Sequence, residues 1–74
     1  MVIEFSGGRV IVSPQEVLVK LTSGVSLYAM VDDLRMLSAG NIMVADGGAV
    51  RWHLALDDAN QLADIAECLG IDID

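Results

Sequence analysis

Residues 42–70 read IMVADGGAVRWHLALDDANQLADIAECLG, and the way the pattern changes along them decides the fold. Ile42–Ala45 is a short apolar run, and the Asp46-Gly47-Gly48 that follows tolerates the positive φ a tight hairpin turn demands. After the turn, Val50, Trp52, Leu54 and Leu56 alternate with Arg51, His53 and Ala55, which gives a strand one regular inward face. The period then shifts from two to 3.6. Ala59, Leu62, Ile65, Ala66 and Leu69 make one apolar stripe along a helix over about 58–69. Asp57 or Asp58 can cap its start, the Asp58 to Gln61 spacing suits a capping-box variant, and Gly70 followed by Ile71 has the form of a Schellman end.

Upstream the same strand grammar repeats. The runs Val2–Phe5, Val10–Val12, Val17–Leu21 and Val25–Val31 are short and apolar, and Gly7-Gly8 and Ser23-Gly24 provide turns between them. Pro14 lacks a ladder donor, so the second strand ends before it or lies at an edge. In the fourth run Val25, Leu27, Ala29 and Val31 occupy one face, but Tyr28 and Met30 stand beside Ser26 on the other. A strand with one wet face would not carry them there. Asp32-Asp33 interrupts the pattern, and Leu34–Leu37 fits either a bent strand or one helical turn. Ser38–Asn41 is a turn, and Ile42–Ala45 is apolar on both faces, with Met43 on one that should be polar.

The chain therefore predicts a single α+β domain over residues 1–74, with about six antiparallel strands within 2–56 and one C-terminal helix packed on them. The sheet is a meander, or is curved into something like a reduced pleckstrin-homology-like barrel. The acidic tail Ile71–Asp74 is expected to be loose.

Composition bounds the function. Of 74 residues 54% are hydrophobic and 20% charged, more apolar surface than one small core easily hides. Cys68 is the only cysteine, so no disulfide can form within the chain, and self-association is the expected means of stabilisation. Eleven acids against Arg9, Lys20, Arg35 and Arg51 give a net charge of −7, which repels phosphate backbones and argues against direct nucleic-acid binding. No run approaches the ~18 apolar residues of a membrane span, and Met1–Phe5 has no basic leader character. A cytoplasmic protein is expected.

No catalytic, metal or cofactor motif stands out. Arg51 and His53 share a strand face and could hold a small anion or polarise a carbonyl, but no nucleophile or orienting carboxylate is placed beside them. The paired acids Asp32-Asp33, Asp57-Asp58 and Asp72/Asp74 lack calcium-loop spacing and read as a turn, a cap and a solvated tail. Gly47-Gly48 lacks phosphate-loop spacing. Cys68 lies among acids near a helix C-terminus, where a reactive thiolate is disfavoured.

Three segments carry a resemblance. Met1–Phe5, the Val44-Ala45-Asp46-Gly47 turn with Val50-x-Trp52 after it, and Leu56-Asp57 leading into Gln61–Ala66 resemble a family of short gamma-proteobacterial proteins catalogued as a domain of unknown function. The resemblance spans essentially the whole chain. It implies a bacterial cytosolic origin and transfers no active site.

The function expected is a non-enzymatic interaction or structural module that acts as a homodimer. Tyr28, Met30 and Met43 are its candidate interface residues, and Trp52 belongs to the core. The first alternative is an acidic inhibitor that presents carboxylates to a basic protein surface. A ligand-binding domain or enzyme centred on Arg51 and His53 comes third.

Overall fold

The computed structural model describes residues 1–74. Strand β1 (Val2–Phe5) turns through Ser6-Gly7 into β2 (Gly8–Val12), a two-residue loop that pairs Phe5 with Gly8 and Val2 with Ile11. Gly8 has φ +148°, and a Cβ there would run into the Lys20 carbonyl of the next strand. Only glycine allows the chain to approach so closely at the turn. Strands β3 (Glu16–Leu21) and β4 (Ser26–Met30) complete a four-stranded antiparallel meander in the order β1-β2-β3-β4.

The long apolar run from Val25 does not continue as one strand. Val31–Asp33 forms a single 3₁₀ turn, with the Val31 amide bonded at 2.8 Å to the Gln15 carbonyl, and the chain leaves the first sheet there. Leu34–Leu37, which the pattern left open between strand and helical turn, is β5, and it pairs with β6 (Ile42–Asp46) and not with β4. With β7 (Arg51–Ala55) this makes a second, three-stranded sheet in the order β5-β6-β7. The α+β class holds, with seven strands in two open antiparallel sheets. No barrel closes, because the 3₁₀ turn carries the chain out of the first sheet before β4 can pair with β5.

Helix α1 (Ala59–Leu69) follows at once. The Asp58 carboxylate accepts from the Gln61 amide at 2.9 Å, while the Gln61 side-chain oxygen accepts from the amide of Asp57, one residue earlier than a standard capping box. At the other end Gly70 sits at φ 73°, the Ile71 amide bonds the Ala66 carbonyl at 3.1 Å, and the Gly70 amide bonds that of Glu67 at 3.2 Å. These two bonds are the Schellman pair, so the helix stops where Gly70 allows.

Both sheets and the helix contribute to one core. Val10, Val12, Val17, Val19 and Ala29 come from the first sheet, Leu34, Met36, Met43 and Ala45 from the second, and Leu62, Ile65, Ala66 and Leu69 from the helix. No polar side chain is buried. Met43 is thus a core residue and not an interface candidate: the register Met36–Met43–Leu54 puts it on the inner face and turns Ile42 and Val44 outward. Both parities of that run are apolar, so only the pairing could choose between them. Val50 is also not inward, since it lies in the hairpin turn and is 69% exposed.

The tail is not loose. Ile73 forms a parallel bridge with Met36, the Asp74 amide bonds the Met36 carbonyl at 2.7 Å, and the Asp74 carbonyl accepts from the Ser38 amide at 3.0 Å. Arg35 adds an ion pair to Asp74 at 3.3 Å. An edge strand with unpaired backbone groups offers bonds that outweigh the tail's freedom.

Candidate interaction surface

Alternation gives the four-stranded sheet two faces, and the core takes only one. On the outer face the register aligns Val2, Ile11, Leu18 and Tyr28 in a single row across all four strands. Met30 extends the row's Tyr28 end, next to Glu16. Val2 is 54%, Tyr28 53% and Met30 47% exposed, so large apolar side chains stand in water where this face should be polar. The adjoining row is charged: Glu4, Arg9, Lys20 and Ser26. Two acids and two bases make the face formally neutral, although the chain carries −7.

Two details fix the side chains there. The Tyr28 hydroxyl donates to the Glu16 carboxylate and lies 3.3 Å from the Met30 sulfur, which ties the aromatic ring down over the sheet. The hydrogen bond to Glu16 holds the phenol above its ordinary pKa, because losing its proton would set a phenolate against a carboxylate. Arg9 pairs with Glu4 at 3.6 Å, Arg35 with Asp74, and Arg51 with Asp46 at 3.4 Å. Lys20 alone among the four basic side chains has no ion-pair partner.

Sequence alone marked Tyr28 and Met30 but missed Val2, Ile11 and Leu18 as their neighbours. The two-residue Ser6-Gly7 turn carries the signal for Val2 beside Ile11, while Leu18 joins them only through the β2–β3 and β3–β4 registers.

Arg51 and His53 lie on the outer face of the second sheet, both exposed. With Leu37, Ile42 and Val44 they border a shallow, open depression. The Arg51 guanidinium is taken by Asp46, its cross-strand partner, and the residue directly opposite His53 is Val44. The geometry supplies no nucleophile, no carboxylate that orients the imidazole and no walls that exclude water. Cys68 is half-buried against the core. No three His, Cys, Asp or Glu side chains converge as a metal site would require.

A second polar cluster is structural in character. The Asp57 carboxylate accepts from the Ser6 hydroxyl at 2.6 Å and the Ser6 amide at 2.8 Å, and the Gln61 side-chain amide donates to the Glu4 carbonyl at 3.1 Å. The β1–β2 turn is thereby latched to the start of α1. The Ser6 hydroxyl, then the Ser6 amide, hold the Asp57 carboxyl below its ordinary pKa.

No helix is long and apolar enough to cross a membrane. No curated protein and no solved structure matches the chain. A family model described as "Protein of unknown function (DUF3389)" matches residues 1–73, essentially the whole length, and the chain belongs to that family.

Proposed function

We propose that this protein is a small, non-enzymatic interaction module of the bacterial cytosol that works as a homodimer, its two copies meeting through the outer face of the four-stranded sheet. The observation that carries this reading is the uninterrupted row Val2–Ile11–Leu18–Tyr28, flanked by Met30. Such a row gains most by being covered, since burial of apolar area contributes about 25 cal/mol per Å². A second copy suits it because the face is charge-neutral in an acidic chain, so close approach there meets least repulsion. The outer face of the second sheet is the weaker candidate: its Leu37, Ile42 and Val44 are all half-buried, as Ile11 and Leu18 are, and it has no counterpart to the exposed Val2, Tyr28 and Met30. A cytosolic setting fits a chain whose only cysteine cannot form an internal disulfide.

A face four strands wide and five residues long measures roughly 19 by 17 Å. Two such faces amount to roughly 650 Å² in plan, below the ~1,200 Å² at which standard specific interfaces begin, so a weak dimer that dissociates in the upper micromolar range is the expectation. Sedimentation velocity across a micromolar concentration series tests the reading. A concentration-dependent dimer that Tyr28→Asp abolishes without unfolding the chain supports it. A wild-type chain that stays monomeric throughout overturns it.

A further inference from the structure

Resting on the homodimer reading, we infer that the two copies are related by a two-fold axis along the Val2–Ile11–Leu18–Tyr28 row, and that Lys20 of each copy pairs with the partner's Glu16.

On β3, Glu16 and Lys20 lie two residues to either side of Leu18, and all three point to the outer face. A two-fold axis lying along the row keeps each strand opposite its own counterpart and exchanges the two sides of the row. Leu18 then meets Leu18, Tyr28 meets Tyr28, and Lys20 meets Glu16 twice over. The strands of the two sheets run nearly aligned, the usual arrangement for sheets packed face to face. The other way of superposing the two faces squarely places the axis along the strands. That arrangement exchanges β2 with β3 and sets Arg9 against Lys20 in both halves, and like charges brought together on the edge of an apolar contact are strongly disfavoured.

Two features of the single chain prepare this pairing. Arg9, Arg35 and Arg51 each have an acidic partner within the chain, whereas Lys20 has none despite eleven acids. Glu16, for its part, is held beside the row by the Tyr28 hydroxyl and still has free lone pairs to accept an ammonium. The cation without a partner and the anchored carboxylate are therefore placed for a reciprocal contact, which specifies axis and register more than it adds affinity.

Charge exchange tests the arrangement. Lys20→Glu and Glu16→Lys are each expected to weaken self-association about tenfold or more, because each variant meets like charge at both contacts. An equimolar mixture of the two is expected to recover it, since the variants complement each other in both halves, and native mass spectrometry should show the heterodimer in excess over either homodimer. Glu16→Gln keeps an acceptor for Tyr28 and removes only the charge, so it carries the test if Glu16→Lys does not fold; its dimer should lose the wild-type dependence on ionic strength. A wild-type dimer whose affinity neither single exchange alters, or two weakened variants that fail to complement, would overturn the axis and leave the homodimer standing. A monomeric wild type would remove both.

Discussion

The indole Nε1 of Trp52 donates to the backbone carbonyl of Tyr28 at 3.3 Å, the only hydrogen bond that runs directly from a strand of one sheet to a strand of the other. β4 is an edge strand, so a carbonyl on its open side needs a partner from elsewhere. Tyr28 consequently serves both sides of the molecule: its carbonyl ties the second sheet in, and its ring lies on the exposed face. Trp52→Phe keeps most of the ring and removes the donor. We expect it to cost about 1–2 kcal/mol in urea unfolding followed by circular dichroism. A variant as stable as wild type would show that the sheets are held by packing alone.

The latch between Asp57 and Ser6 makes stability depend on pH with a defined sign. A carboxyl whose folded pKa lies below its unfolded value, about 4, adds stability at neutral pH. That contribution is lost as pH falls through about 4 toward the lower folded value, where both states are protonated. Asp57→Asn should melt at a lower temperature than wild type at pH 7, and the gap should narrow below about pH 4. Parallel melting curves at pH 7 and pH 3.5 check this; a gap of equal size at both would assign the effect to shape and not to charge.

Leu62 is 1% exposed in the middle of the helical stripe that meets both sheets. Truncation to alanine should cost about 2–5 kcal/mol, a large share of what so small a domain possesses. A loss below ~0.5 kcal/mol, the range of surface substitutions, would mean that α1 is not docked by this face.

These contacts also mark where the sequence was readable. The helix, its Asp58 cap and its Gly70–Ile71 end follow from local rules, because each bond joins residues within one or two turns. Six of the seven strands were legible for the same reason, while Leu34–Leu37 fitted a strand or a helical turn equally well. Pairing was not: Ile42–Ala45 is apolar at every position, so nothing local could say that Met43 faces inward and Val44 outward. The split into two sheets hung on Val31–Asp33, three residues too short to show a period, and the docking of Ile73 hung on an edge made by residues far off in sequence. The exposed row was half legible, since alternation marked Tyr28 and Met30 while Val2, Ile11 and Leu18 joined them only through register.

His53 is a discriminating position because it is the residue most easily mistaken for a catalytic one. It is exposed, opposite Val44, on the face away from Trp52 and from the proposed dimer surface. His53→Ala should change stability by no more than ~0.5 kcal/mol and leave sedimentation unchanged. A well-folded variant that has lost an activity or a bound small molecule present in the wild type would restore the Arg51–His53 site.

The tail offers the sharpest separation between ornament and structure. Asp74 bonds the Met36 carbonyl and accepts from the Ser38 amide, Ile73 bridges Met36, and Arg35 pairs with the Asp74 carboxylate, so the last residues cover the free edge of β5. Each backbone bond contributes about 0.5–1.5 kcal/mol, while the exposed ion pair adds little. Removing residues 72–74 should therefore cost about 1–3 kcal/mol and speed amide exchange at Ser38 more than at Val19, which lies deep in the other sheet. Asp74→Asn, which spares the backbone bonds, should cost well under 1 kcal/mol. A truncated chain as stable as the full one, with Ser38 exchanging at its former rate, would show that the β5 edge does not need its cover.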